Sequence, residues 1–213
     1  MWPSAEEKKR VMKMNKLTNI IRKVAEDMEV FNPTQEMRDW FITRTNSHID
    51  RVKKFAAMIE AYDPKTFKGL VARVEDHDKS KFNEPELTPY IYVTWSYYKK
   101  DHGEKYVVEP AINDRMNEAT LHHVKNNRHH PEFYDAGAEI NTKQRDKNPD
   151  RMTDATKMGD LDLGEMVSDW LAVSEERDTS ALDWADKTVN LRWKFTEDQK
   201  VLIYKILMIF SAK

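Results

Sequence analysis

Residues 41–59, FITRTNSHIDRVKKFAAMI, carry the pattern from which the fold class is inferred. The less polar side chains of this stretch recur at steps of four and three, at Phe41, Thr45, His48, Val52, Phe55 and Ile59. Side chains at that spacing lie on one face of an α-helix, and such a face packs against the core. The stretch therefore predicts a helix with His48 on its buried face.

The rest of the chain also favours helices. It has only 5 glycines in 213 residues, and helix-capping pairs such as Thr196 with Gln199 precede several periodic segments. Helices are predicted at about residues 5–30, 34–61, 64–77, 89–100, 110–127, 160–176, 181–191 and 197–210. We therefore predict an all-α fold in one domain, 1–213, with a long loop around 135–154.

Composition excludes several classes of protein. The chain has no cysteine, which excludes disulfides, thiolate zinc sites and cysteine nucleophiles. Its 35 basic and 37 acidic residues nearly cancel, which argues against general nucleic-acid or membrane-surface binding. No signal peptide is recognisable, and the most apolar stretch, VLIYKILMIF, is too short to span a membrane. We therefore expect a cytoplasmic protein.

A second histidine is predicted to be buried at the end of the third helix. Leu70, Val74 and His77 fall on one apolar stripe, and Asp78 follows His77 directly. Adjacent residues on an α-helix diverge by about 100°, but both can reach one ion where the helix end loosens. His77 and Asp78 are therefore candidate ligands of a single ion.

More histidines cluster in the run HHVKNNRHH, which begins at His122. His123, Asn127 and His130 continue the helical steps of four and three. Periodicity therefore favours His123 and His130 as metal ligands over His122 and His129.

A carboxylate is predicted at the edge of a buried helix face after the long loop. Leu163, Met166 and Trp170 form the apolar face, and Asp169 lies beside it with Glu165 one turn earlier. A buried carboxylate needs a partner, because without one it would become protonated. Asp169 is thus the last candidate ligand along the chain.

The order of these residues resembles a known pattern. His48, the pair His77 and Asp78, the later histidine cluster and Asp169 resemble the H…HD…H…D signature of the HD-domain superfamily. In that superfamily the signature holds one or two divalent metal ions. The resemblance implies that His48, His77, Asp78 and Asp169 bind the first ion, and that mid-chain histidines hold the second ion of the two-metal branches.

Several longer motifs carry a second resemblance. The motifs are HDxSKF at residues 77–82, PYxxxxW at 89–95, HHxxxNxHHPE at 122–132 and EMxxDW at 165–170. Together they are similar to a domain family of unknown function that is common in phage and bacterial genomes, over about residues 45–185. The resemblances imply an HD-like core at about 34–191, with the helices 5–30 and 197–210 as additions, in a bacterial or phage-infected host cell.

The chemistry implied is hydrolysis of a phosphate ester by a metal-activated water. Imidazole and carboxylate ligands suit divalent Mn, Fe, Co, Ni, Zn or Mg, with one or two ions per chain. Asp78 and Lys81 are the candidate catalytic residues. Lys79, Arg128 and Asn127 are candidate substrate contacts, because they lie beside proposed ligands in the sequence. The expected partner is a small phosphorylated molecule, with nucleotides as the first class by analogy with the superfamily.

Two other functions stay open from the sequence. One branch of the HD superfamily uses the same ligand order, with extra histidines, to hold two irons and activate O₂, so an HD-type di-iron oxygenase is the first alternative. A non-catalytic, metal-stabilised binding module of phage or bacterial origin is the second. The helix at 197–210 could belong to the core or to a homodimer surface. The aromatic run PYIYVTWSYY at 89–98 is expected to pack in the core rather than to stack on a base.

Overall fold

The regular secondary structure of the described part of the chain is almost entirely helical. The structure is a computed structural model that describes residues 12, 14, 17, 18, 32–139 and 149–210. Within these ranges the α-helices are α1 Gln35–Tyr62, α2 Leu70–Arg73, α3 Leu87–Asp101, α4 Pro110–Asn126, α5 Asp160–Arg177, α6 Ala181–Thr188 and α7 Glu197–Phe210. The prediction of an all-α fold is confirmed. Apart from four helical positions, the predicted helix 5–30 lies outside the described residues.

Short elements connect the helices. The 3₁₀-helices are Val74–Asp76, Lys79–Phe82 and Pro131–Tyr134. Two strands of two residues each, β1 Thr153–Asp154 and β2 Trp193–Lys194, pair in parallel and were not predicted. None of the helices in the described ranges is long and apolar enough to cross a membrane.

Helix α1 runs through two apolar clusters. Its buried face consists of Met37, Phe41, Thr45, His48, Val52, Phe55, Ala56 and Ile59, which contains the predicted stripe in full. Met37 and Phe41 belong to a smaller cluster with α3, whereas Val52 and Phe55 belong to a larger one with α2, α5, α6 and α7. His48 stands between these two groups on the same face, so a polar layer separates the two clusters.

The α-helix predicted at 64–77 is much shorter in the structure. The structure has only α2 there, followed by a 3₁₀-helix. Asp63 accepts hydrogen bonds from the backbone N–H and the hydroxyl of Thr66, and Gly69 adopts a left-handed conformation at φ 94°. These turn interactions compete with a continuous helix, and propensity counting does not detect them. The stripe of Leu70, Val74 and His77 is nevertheless buried as predicted.

The other predicted features agree more closely with the structure. Thr196 and Gln199 form the predicted capping box, with each side chain accepting from the other's backbone N–H. The aromatic side chains of Tyr92 and Trp95 are buried in the smaller cluster, as expected. The predicted helix at 181–191 is shorter in the structure, since α6 ends at Thr188.

The described ends of the predicted loop at 135–154 are held together by Asp135. Its carboxylate accepts from the backbone N–H of Asp154 and pairs with Arg151 at 2.7 Å. Residues 140–148 lie outside the described part. The described remainder contains no α-helix, in agreement with the predicted loop.

Candidate metal centre

The candidate ligands come from four separate segments that meet in the polar layer. α1 contributes His48, the turn after α2 contributes His77 and Asp78, and α5 contributes Asp169. The histidine cluster at the end of α4 and in the turn behind it contributes His123, His129 and His130. Every one of these side chains is buried or half-buried.

Asp78 is turned into the layer by its backbone. It adopts a left-handed conformation, at φ 58° and ψ 9°, between two 3₁₀-helices. Residues other than glycine adopt this conformation rarely, although Asp tolerates it better than most. The break in the helix allows His77 and Asp78, adjacent in sequence, to face the same centre, as the sequence suggested.

The two carboxylate oxygens of Asp78 face different histidines. Its Oδ2 lies 3.6 Å from Nε2 of His48 and 3.6 Å from Nε2 of His77. Its Oδ1 lies 3.2 Å from Nε2 of His123 and 3.8 Å from Nε2 of His129. Asp78 therefore stands between two groups of imidazoles, with one oxygen toward each.

We name these two groups half-sites. The first half-site is His48, His77, Asp78 and Asp169, in which Oδ1 of Asp169 lies 3.1 Å from Nε2 of His48. The second half-site is Asp78, His123, His129 and His130. In each half-site, three residues have ligand atoms within 4.8 Å of one another, namely His48, His77 and Asp78 in the first and His123, His129 and His130 in the second.

Several buried polar atoms at the centre lack hydrogen-bond partners among the described residues. They are Nδ1 of His48, Nε2 of His77, His129 and His130, and Oδ1 of Asp78. A buried polar atom without a partner costs free energy, so a group of them needs a physical cause. Imidazole nitrogens and carboxylate oxygens are ligands of divalent transition metals, and the donor set therefore fits a metal ion.

Two buried glutamates hold the histidines from behind. Oε1 of Glu165 lies 3.0 Å from Nδ1 of His77 and 3.2 Å from Nδ1 of His129. Oε2 of Glu86 lies 2.8 Å from Nδ1 of His123. A carboxylate can only accept, so each of these Nδ1 atoms donates a hydrogen bond, and the Nε2 atom of each ring faces Asp78. This is the usual outer support of metal-ligating histidines.

A third group of neighbouring residues, His77, His129 and Glu165, also has ligand atoms within 4.8 Å of one another. Here the carboxylate already accepts from Nδ1 of both histidines. We therefore assign Glu165 as support for the ligands and not as a ligand.

Two cations compensate the carboxylates. Lys81 pairs with Asp78, and Arg73 pairs with both Glu165, at 2.7 Å, and Asp162. Burial raises the pKa of the Asp78 carboxyl, but Lys81, His77 and His123 outweigh it and hold that pKa well below its usual range. Burial lowers the pKa of Lys81, but the neighbouring Asp78 carboxylate outweighs burial, so the pKa of Lys81 is raised. Asp78 and Lys81 are therefore both charged at neutral pH.

Two of the histidines are kept neutral by their surroundings. Burial and the neighbouring His77 lower the pKa of His129. Burial, His129 and His123 lower the pKa of His130 well below its usual value. A neutral imidazole is the form that binds a metal ion, so these two side chains are ready to act as ligands at neutral pH.

The structure brings together all six residues that the sequence proposed as metal ligands, which are His48, His77, Asp78, His123, His130 and Asp169. The structure also places His129, which periodicity did not favour, buried beside Asp78. α4 ends at Asn126, so helical periodicity does not extend to the last two histidines. The side chain of His122 is 43% exposed and contacts Glu86 instead of Asp78.

Two of the three residues proposed as substrate contacts, Lys79 and Arg128, have exposed side chains paired with other carboxylates. The Lys79 side chain is 63% exposed and pairs with Asp76, so the structure gives it no place at the centre. Arg128 is also largely exposed and donates two hydrogen bonds to Asp162.

Asn127 lies within the supporting network of the centre. Its amide nitrogen donates to the Ser80 hydroxyl at 3.2 Å and to the backbone oxygen of His123 at 2.8 Å. It therefore supports a proposed ligand, and the hydrogen bonds do not single it out as a substrate contact.

Sequence reasoning missed Glu86, Arg73 and the support role of Glu165. Glu86 is fully buried, although it lies in the polar run NEPEL, where no period marks a buried face. Arg73 reaches Glu165 across 92 positions of sequence. Of these three residues, only Glu165 was marked by the sequence, because its apolar neighbours on α5 placed it near a buried helix face.

Fold and site together define an all-α protein with a buried His/Asp/Glu cluster that could hold metal ions. The model of the Family of unknown function (DUF5662) matches residues 37–209, and the chain belongs to this family. No curated protein and no solved structure was found to match it.

Proposed function

We propose that this protein is a divalent-metal-dependent phosphohydrolase with an HD-type centre, acting on a small phosphate ester. The observation that carries the proposal is the position of Asp78, which turns one oxygen to each half-site while the ammonium of Lys81 pairs with it. A carboxylate between two groups of imidazoles suits a pair of ions, and a buried cation beside it suits a phosphoryl group.

Each half-site would hold one ion. His48, His77 and Asp169 would bind the first and His123, His129 and His130 the second, with Asp78 shared. The chemistry that divalent ions supply at such a site is Lewis acidity toward a phosphoryl oxygen and a water ligand whose pKa falls toward about 7. Mn, Fe, Co, Ni, Zn and Mg are the candidates.

Charge balance supports a pair of ions and an anionic substrate. The carboxylates at the centre are Asp78, Asp169, Glu86 and Glu165. Lys81 and Arg73 are the paired cations, so the described side chains leave an excess of negative charge that metal cations would reverse. A phosphate ester would then meet a net positive site.

Lys81 is the residue assigned to the substrate's charge. Its ammonium lies 5.2 Å from the centre of the Tyr90 ring, and its side chain is 19% exposed. Asp169, a proposed ligand in the same half-site as Lys81's partner Asp78, is 18% exposed and also has partial access to solvent. Substrate is therefore proposed to enter beside these two, where Lys81 stabilises the developing charge on the phosphoryl oxygens.

The proposed reaction is the hydrolysis of an ester. Water attacks phosphorus, the bond from phosphorus to the ester oxygen breaks, and the leaving oxygen ends with a proton as an alcohol or a nucleotide product. Nucleotides are the first substrates to test, by analogy with the HD superfamily alone.

The test is phosphate release by protein stripped of metal and reloaded with one metal at a time. Nucleoside mono-, di- and triphosphates, cyclic nucleotides and p-nitrophenyl phosphate form the panel, and the nucleoside, nucleoside monophosphate or p-nitrophenol product is measured beside phosphate. His48→Gln removes a proposed ligand, whereas His102→Gln changes an exposed histidine whose ring bonds the Tyr98 carbonyl, away from the centre. We expect turnover by wild type and His102→Gln, and at least a 100-fold loss in His48→Gln.

Absence of turnover with every metal and substrate would overturn the proposal. Iron-loaded protein that consumes O₂ without releasing phosphate would indicate the di-iron oxygenase, for which the nitrogen-rich second half-site is suited. Metal binding without either activity would indicate a binding module.

A further inference from the structure

One carboxylate touches histidines of both half-sites. Oε1 of Glu165 accepts from Nδ1 of His77, in the first half-site, at 3.0 Å, and contacts Nδ1 of His129, in the second half-site, at 3.2 Å. The rings of these two histidines are also neighbours, with centroids 4.3 Å apart. The orientation of two imidazoles that face different ions thus depends on one oxygen atom.

The other oxygen of Glu165 is held by an arginine. Nε of Arg73 donates to Oε2 of Glu165 at 2.7 Å, and its Nη2 donates to Asp162. Glu165 lies on α5 and is 5% exposed, whereas Arg73 comes from the last turn of α2. A charge-assisted bond of this kind fixes the carboxylate in both position and charge.

We propose that Glu165, held by Arg73, is the positioning residue shared by the two half-sites, so that it sets the affinity for both metal ions together. The inference rests on the proposed function in one respect only, namely that ions occupy the half-sites. It makes no use of the substrate or of the reaction.

Glu86 provides the matched comparison. It is also a buried carboxylate that holds imidazoles, but its partners are His122, at 2.7 Å, and His123, at 2.8 Å. Only His123 belongs to a half-site. Loss of the Glu86 carboxylate should therefore weaken the binding of one ion, whereas loss of the Glu165 carboxylate should weaken the binding of both ions.

Glutamine is the informative substitution at both positions. In Glu165→Gln the single amide oxygen cannot accept from Arg73 and from the two imidazoles at once, so an N–H group must face another donor. In Glu86→Gln an amide N–H group likewise replaces one carboxylate oxygen, since the Ser80 hydroxyl and His123 share one oxygen and His122 takes the other. The two variants thus impose the same chemical change on different sets of ligands.

The experiment is a titration of the metal-free full chain with Co²⁺, followed by visible absorption and by equilibrium dialysis. Wild type is expected to bind two equivalents. Glu86→Gln should bind one of them about 10- to 100-fold more weakly and leave the other unchanged. Glu165→Gln should lower the affinity for both equivalents by a factor of that order, and the visible absorption of both cobalt ions should change.

A loss confined to one equivalent in Glu165→Gln, or no loss, would overturn the inference while leaving the metal centre intact. Wild type that binds no Co²⁺ would overturn the proposed function itself. Circular dichroism of the metal-free variants checks their folding. If Glu165→Gln does not fold, Arg73→Gln replaces it. This variant should lower the affinity for both equivalents of Co²⁺ by equal factors. A change in the affinity for one equivalent alone would again contradict the shared role.

Discussion

At the scale of single residues, Asp78 combines two unfavourable features. Its left-handed backbone costs about 1–2 kcal/mol, and its carboxylate is 1% exposed. Such conformations persist only where the surrounding structure enforces them, and they cluster at functional sites. The ion pair with Lys81 holds the Asp78 carboxylate and contributes to this enforcement.

Lys81 and Lys79 provide a direct test of which cation serves the substrate. Lys81→Gln should lower kcat/KM for phosphate release by about 100-fold or more, because it removes the charge beside Asp78. Lys79→Gln should change it less than about twofold, since that side chain is exposed and pairs with Asp76. Steady-state kinetics of both variants measures this. Equal losses would contradict the assignment.

His129 is a candidate ligand that periodicity did not favour, although the structure places it beside Asp78. His129→Gln should lower the metal bound per chain by about one ion, since Nε2 of His129 faces Asp78. His102→Gln should retain the wild-type content. Elemental analysis after dialysis against metal-free buffer gives the result, and full metal content in His129→Gln would exclude it as a ligand.

At the scale of elements, the sequence predicted what periodicity can encode. His48 was assigned to a buried helix face because its neighbours on α1 repeat every three or four residues. His129 lies beyond the end of α4, so its position depends on a turn. Arg73 and Glu86 were not predicted, since their partners come from distant segments and no local pattern records such pairs. Most of the candidate ligands could be predicted from sequence, and much of their support could not.

Close packing of α5 against α2 is what brings Arg73 to Glu165. A Cβ atom on Gly164 would lie 2.9 Å from Cδ1 of Phe67 and 3.0 Å from Cδ2 of Leu70. Gly164→Val should therefore lower the free energy of unfolding of the metal-free protein by about 1–3 kcal/mol, by urea denaturation. Asn46→Val, at an exposed position of α1, should stay within about 0.5 kcal/mol. Wild-type stability in Gly164→Val would show that the two helices can separate freely.

Asp135 should make the stability of the loop ends depend on pH. The backbone N–H of Asp154 lowers the pKa of Asp135 against the effect of burial, and Gly137 and Arg151 lower it further. A folded pKa below the unfolded value of about 3.9 adds stability above that pH, which is lost as the pH falls through the folded pKa.

The Asp135→Asn variant tests this. It should cost about 1–3 kcal/mol at pH 7, and the difference from wild type should shrink below about pH 4. Urea denaturation of both proteins across this range is the measurement. A difference that is the same at every pH would show that the charge of Asp135 contributes nothing.

At the scale of the whole molecule, the centre lies where two apolar clusters meet. α1 contributes to both clusters, with Phe41 in one and Val52 in the other, and His48 lies between them. α5 adds Glu165 and Asp169 from the opposite side, and α1 and α5 are closely packed against each other. Burial of this many charged and polar groups is costly unless they are paired or bind metal, so the fold and the centre should depend on each other.

The most direct test of the account is the metal content of wild type and Asp78→Asn, each measured after reloading with single metals and dialysis. Asn tolerates the left-handed backbone but cannot offer two anionic oxygens. The account predicts about two ions per chain in wild type and loss of both in Asp78→Asn, with His102→Gln unchanged. A wild-type chain that binds none of the candidate metals, or an Asp78→Asn chain that retains both ions, would contradict it.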